Sequence, residues 1–358
     1  MSDVAFWGPG DGPALDGFRE ALRAEWERRG YRFVDDAERA SVIFNFVDPD
    51  KPKPFRRRNR AIYVTAVHHA GSAPGDVLRS GYPMLVRALA NLTLLVVPGD
   101  ACHFVTLEQG SYSVPDPGEL GQWVSDIVDR VEPLATAHLV IDNRFDPDLE
   151  PELWDGDELT EQLFDAGKRL DGLGLLPAPF PLEEIVGPDD MRYIKMAYGI
   201  GGLSYGNLSV RKDADRYWMS ASGVDKSNLR VVGRDILMVK GYEPKTGTML
   251  LSVPPGVEPR RASVDAIEHW MIYQEHPQVG AIVHVHAWIN DIKATEFNYP
   301  CGTRELAVAV ADIIREAPEP GSTVVGLKNH GLTITGPTLA DIFERIEPVI
   351  QVQVPMSA

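Results

Sequence analysis

Residues 281–287 read AIVHVHA, an apolar run broken only by two histidines two positions apart. In a strand, residues i and i+2 share a face, so His284 and His286 project together and can bind one ion. A run this apolar belongs in the middle of a sheet, where each desolvated imidazole needs a polar partner. The chain must therefore build a sheet around 281–287 and bring other polar groups to its histidine face. A third histidine, His330, ends the apolar run in STVVGLKNH and precedes Gly331, which lets the backbone turn and other groups approach closely. Alone, the pair also reads as two satisfied structural histidines, and His330 as a turn residue. Together with a carboxylate, three imidazoles form a tetrahedral set suited to Zn2+ or another divalent transition metal, with water or substrate at one position.

At 358 residues the chain is long for one domain and comfortable for two. Its first part alternates β-branched runs with helical patterns: VAFWG, FREALRAEWERRG, SVIFNFV, AIYVTAV, a helical stretch from about Asp76, LTLLVV, GELGQWVSDIVDRVEPL and HLVIDN. That alternation predicts an α/β unit with a mostly parallel sheet, Rossmann-like or flavodoxin-like, over residues 1–150. The proline- and acid-rich DPDLEPELWDGDELT reads as a linker, and a second domain is expected over 151–358. There SVDAIEHWMIYQEHP predicts a helix with Asp265, His269 and Tyr273 on one face, followed by the histidine strand, the helix TRELAVAVADIIREA and a last strand and helix.

A net charge of −17 argues against a nucleic-acid binder, which needs a basic face. The dissenting stretch KPKPFRRRNR, with Lys51, Lys53, Arg56, Arg57, Arg58 and Arg60, reads as an exposed loop because of its prolines. No apolar run is long enough to span a bilayer, and no secretory signal opens the chain, so a soluble, cytoplasmic protein is expected. Cys102 and Cys301 lie far apart, which leaves imidazole and carboxylate to supply any metal site. The opening WGPGDG matches no nucleotide-binding fingerprint and reads as a glycine turn. His68 and His69 end a predicted strand, where open sheets often place ligands.

The ordered series GNLSVR (206–211), SASGVD (220–225), SVD with HWMIYQEHP (263–277), AIVHVHA (281–287), GTREL (302–306) and LKNHGLTITG (327–336) resembles the class II aldolase/adducin family. The resemblance covers roughly residues 153–358 and leaves the N-terminal domain unexplained. It implies a class II aldolase-like α/β/α domain with a mixed or antiparallel sheet, in which His284, His286 and His330 hold a divalent metal. It also implies that Asp265, 19 positions before His284, ligates the metal or moves a proton. Asn207, Ser222, Gly223 and Ser263 match the family's phosphate cradle, in which turn amides and short polar side chains meet an anion.

The activity implied is carbon–carbon lyase action on a small hydroxy-carbonyl or sugar-phosphate substrate through an enediolate, whose developing charge a metal stabilises. The alternatives are an epimerase, dehydratase or decarboxylase on the same scaffold, or a non-catalytic adducin-like binding module. A homo-oligomer, commonly a tetramer, is implied as well. Two departures stand out. Ser263 is followed by Val264 where the family often has a second serine, removing one hydroxyl donor. Only the 15 residues from Ala287 to Cys301 separate the histidine strand from GTREL, so the family's catalytic tyrosine has no secure counterpart. Glu296 and Tyr299 are the proton-transfer candidates within that loop. His269, one helical turn from Asp265, is expected to orient a ligand or to pack.

Overall fold

The computed structural model describes residues 3–8, 15–56, 63–107, 110–177, 180, 182–197 and 204–357. Arg57, Arg58 and Arg60 of the basic stretch and the opening glycines after Gly8 lie outside these residues. The chain divides into two compact units, one of Met1–Thr136, Phe180–Gly201 and Met356–Ala358, the other of Ala137–Pro179 and Gly202–Pro355.

The first unit holds a seven-stranded sheet built from β1 (Asp3–Trp7), β2 (Arg32–Phe33), β3 (Val42–Phe46), β4 (Tyr63–His69), β5 (Leu92–Val97), β6 (Ala101–Thr106) and β7 (Ser111–Pro115). The order is β2-β1-β3-β4-β5-β6-β7, parallel from β2 through β5. Helices α1 (Asp16–Arg28) and α2 (Val77–Arg87) supply connections expected from the alternating pattern, and α3 (Leu120–Thr136) follows the last strand of this sheet. The antiparallel β6–β7 hairpin is an addition to the expected strands. Its first strand, ACHFVT, follows LTLLVV after only three residues, so the two runs merge in the sequence. The short helices α5 (Leu182–Ile185) and α6 (Pro188–Ala197) group with this unit although they follow the linker in sequence.

The second unit is an eight-stranded sheet in the order β14-β15-β13-β9-β10-β11-β12-β8. Its strands are β8 (Asp142–Asp146), β9 (Asn207–Arg211), β10 (Tyr217–Ser220), β11 (Ile236–Glu243), β12 (Thr248–Ser252), β13 (Ala281–Val285), β14 (Val324–Leu327) and β15 (Gly331–Gly336). Every neighbouring pair is antiparallel except β8 and β12. The alternating pattern groups β8 with the first domain, but DNRFD pairs along β12 as the edge of the second sheet. The chain thus changes unit at 136/137, before the proline- and acid-rich stretch where composition puts the boundary. Helices α4 (Glu158–Gly172), α7 (Ala266–Glu275), α8 (Arg304–Arg315) and α9 (Leu339–Ile346) complete the unit.

β13 is fully buried between β9 and β15. Two glycines permit neighbouring backbone to approach it. A Cβ on Gly206 would lie 2.4 Å from the His284 carbonyl oxygen, and one on Gly331 would lie 2.2 Å from that of Val285. Both distances are shorter than contact allows, so any side chain there would push the backbone away from the strand. Among the described residues, no helix is long and apolar enough to cross a membrane.

Candidate metal centre

The strand and turn geometry brings the three histidines together. The ring centroids of His284 and His286 are 5.3 Å apart, those of His284 and His330 4.8 Å, and those of His286 and His330 5.0 Å. One nitrogen from each ring lies within 4.8 Å of the others. All three side chains are buried. His330 reaches the cluster from the turn between β14 and β15, where Asn329 adopts a left-handed φ of 56°. Asparagine tolerates that conformation better than most residues, which lets the turn swing His330 inward.

The tautomer of His284 follows from its surroundings. Its Nδ1 is 3.0 Å from the Leu332 carbonyl, which only accepts, so Nδ1–H donates and Nε2 presents a lone pair. That Nε2 and the Nδ1 of His286 are buried without a hydrogen-bond partner. Burial lowers the proton affinity of all three imidazoles, and the rings depress one another further in His286 and His330. They are therefore held neutral, the form that ligates metal. Buried lone pairs left unsatisfied are costly, and a divalent cation satisfies them together. The residues fit such an ion.

Asp265 stands at the edge of the cluster. It occupies the N-cap of α7 without capping it. Instead its Oδ2 accepts from Asn207 Nδ2 at 2.8 Å and lies 3.9 Å from His284 Nε2. Asn207 Nδ2 also donates to Ser263 Oγ at 3.0 Å, so one side chain links two of the expected site residues. Ser222 donates its backbone N–H to the Arg261 carbonyl, which brings the SASGVD turn beside the segment leading to Ser263. Gly223 in that turn takes a left-handed φ of 69°, and its carbonyl accepts from Arg260 Nη1 at 2.9 Å.

His269 is fully buried, with Nδ1 2.7 Å from Ser209 Oγ, which in turn lies 2.9 Å from the Tyr273 hydroxyl. Burial and the neighbouring His284 push its pKa down to about 3, so the ring is held neutral among its packed neighbours. Glu296 is exposed, and Tyr299 is half-buried against the Phe297 ring at 5.8 Å. Burial raises the Tyr299 hydroxyl, with the charges of Glu296 and Glu305 adding to the effect. Neither makes a described contact with the histidines. The loop does reach them two residues later, where Cys301 Sγ lies 3.4 Å from His330 Nε2.

Two buried charged residues lie outside the candidates that the sequence offers. Glu268 lies one turn beyond Asp265 and accepts from Thr333 Oγ1, on the residue paired with His284 across β13 and β15. Burial, and then the charge of Asp265, push its pKa up to about 8. Lys226 is 3% exposed and donates from Nζ to the Ser204 carbonyl at 2.6 Å. Neither is marked in the sequence: α7 also carries Gln274 and Glu275, so one more acid does not stand out, and a lysine after a turn gives no sign.

Residues 192–290 match the model of the Class II Aldolase and Adducin N-terminal domain. The similarity to this family lies in the C-terminal part of the chain. The match includes every expected site residue up to His286 and ends before His330. A methylthioribulose-1-phosphate dehydratase from Leptospira biflexa is 29% identical over 146 residues, which cover 39% of this chain and 64% of that protein. One from Citrobacter koseri is 36% identical over 90 residues, covering 25% of this chain and 38% of its own. The chain therefore spans less than two thirds of these relatives. Among solved structures, an L-fuculose 1-phosphate aldolase is 20% identical, with a TM-score of 0.36 over 54% of this chain and 81% of its own.

Proposed function

We propose that the C-terminal unit is a metal-dependent lyase that removes water from a small phosphorylated hydroxy-ketone. The observation that carries this reading is the carboxylate of Asp265, fixed by Asn207 and 3.9 Å from a bare imidazole nitrogen of the histidine cluster. His284, His286 and His330 would hold a divalent ion, zinc by preference, with Asp265 at its margin. The ion supplies Lewis-acid polarisation of a carbonyl, which acidifies the neighbouring C–H bond.

The residues of the chain perform the rest. Asp265 takes the proton from the carbon beside the carbonyl, and the C–O bond of the next carbon breaks. The same carboxyl group returns its proton to the departing hydroxide, so water leaves and Asp265 is restored. Asn207 keeps the carboxylate aimed, and the imidazoles, their proton affinity lowered by burial, would not compete for its proton. Asn207, Ser222, Gly223 and Ser263 would cradle the phosphate. Elimination is favoured over carbon–carbon cleavage because two relatives are named as dehydratases. The small-molecule substrate and a homo-oligomeric assembly, a tetramer included, belong to the same proposal.

Product analysis of the zinc-loaded chain with methylthioribulose 1-phosphate tests the reading. Loss of one water from an intact skeleton supports it. Two smaller carbonyl products would replace it with aldol-type cleavage. Failure to retain a transition metal from excess zinc would sink the metal-dependent mechanism.

A further inference from the structure

Lys226 sits close to the histidine cluster by a short structural path. Its Nζ donates to the Ser204 carbonyl at 2.6 Å, and its backbone N–H donates to Ser204 Oγ at 2.8 Å. The next residue, Tyr205, places its ring 5.5 Å from that of His286, and Gly206 packs against the His284 carbonyl. The ammonium is thus held beside the segment that runs along the two strand histidines. The backbone of Lys226 is clamped from the other side as well. A Cβ on Gly167 of α4 would lie 1.8 Å from the Lys226 carbonyl oxygen, so the helix must present a glycine there.

At 3% exposure, this is not a solvated surface lysine. Its ammonium carries a positive charge into the same buried interior as the histidine cluster. A field of that kind acts more strongly in a dry interior than in water. A divalent ion at the histidines would add more positive charge nearby, so an anion entering the site is attracted by both. Position along the chain points the same way, because Lys226 lies three residues after Gly223 of the Ser222–Gly223 turn and Val264 supplies no hydroxyl where a second serine would stand.

We propose that Lys226 is a charge-selecting residue of this site, its ammonium binding the phosphate monoester of the substrate. The identity of the substrate rests on the lyase reading; the binding of phosphate by Lys226 does not. A cavity of about 260 Å³ lined by Gly223 with Arg230, Arg234 and Arg260, and also by Asp225 and Asp235, provides the competing location for an anion.

The test is calorimetric titration of the full chain with inorganic phosphate, in zinc-loaded and metal-stripped forms. The parent is compared with Lys226→Met, Lys226→Arg and Arg230→Met, with metal content and unfolding midpoint measured beside each. Lys226→Met is expected to weaken phosphate binding by roughly tenfold or more at unchanged metal content, as loss of a charge-assisted hydrogen bond does. Lys226→Arg should recover part of that loss, and Arg230→Met should bind as the parent does. An unchanged Kd in Lys226→Met, a loss confined to Arg230→Met, or no phosphate binding by the parent would overturn the proposal. Should Lys226→Met not fold, Lys226→Gln retains a donor toward Ser204 without the charge, and parent-like binding in it overturns the proposal equally. A parent that takes up no zinc but shows the Lys226 dependence would defeat the lyase reading alone.

Discussion

Two clusters of buried polar groups, one in each unit, are partnered differently. In the N-terminal unit, Glu25 accepts from Arg28 and Arg29, and Arg29 also pairs with Asp129 and Glu132, each contact at 2.7 Å. In the C-terminal unit, polar groups are gathered around one strand and several atoms lack hydrogen-bond partners: His284 Nε2, His286 Nδ1, Asp265 Oδ1 and Glu268 Oε2. Paired charges are what a stable scaffold keeps, whereas converging unpaired ones are tolerated where a ligand completes them. The contrast separates a paired network from the groups proposed as the site.

The largest expected effect comes from removing two of those groups. Elemental analysis of His284→Ala with His286→Ala should find the parent's metal, about one ion per chain, lost from a folded protein. Retention of the metal by the double variant would erase the contrast. Asp265→Asn removes the proton carrier but keeps the shape, so turnover should fall by roughly 10²–10⁴-fold, with metal retained. Turnover equal to the parent's would remove Asp265 from the mechanism. Arg29→Met probes the other unit. It leaves Glu25 and Glu132 short of a partner and should lower unfolding free energy by about 2–4 kcal/mol without altering metal content. Metal loss in Arg29→Met at temperatures where the chain stays folded would show that the two networks are not separable.

The histidine side of this contrast is legible in the sequence and the paired network of the N-terminal unit is not, each for a physical reason. AIVHVHA announces a central strand and a shared histidine face because apolar burial and two-residue periodicity act together there. His330 and Asp265 come from resemblance, since no local rule tells a turn histidine to meet a strand 44 residues earlier. The edge strand DNRFD is half-buried and polar, so it carries neither alternation nor an apolar run. Lys226 and Glu268 are hidden for a further reason. Charged residues are assigned to solvent by default, and only the tertiary packing of α4 and β15 encloses them. Cys301 likewise meets His330 through a loop with no regular period.

The smallest effect is the most specific to the comparison, because two buried glutamates should give opposite pH signatures. Glu25 is held down to about 2 by its hydrogen bonds to Arg28 and Arg29, from an ordinary value of 4.5. Its folded-state pKa lies below the unfolded one, so it contributes stability above about pH 4.5 that is lost as pH falls toward 2. Glu268 is raised from 4.5 to about 8 by burial and by Asp265. The folded chain then holds a proton that the unfolded chain releases, and stability falls as pH rises from about 4.5 to about 8. The slope from one such group is at most about 1.4 kcal/mol per pH unit. Denaturant unfolding of the metal-stripped protein between about pH 5 and 8 should show this decline in the parent and a flatter profile in Glu268→Gln. Identical profiles would mean that Glu268 is ionised in the folded protein, and its carboxylate would then be a second buried negative charge near Asp265.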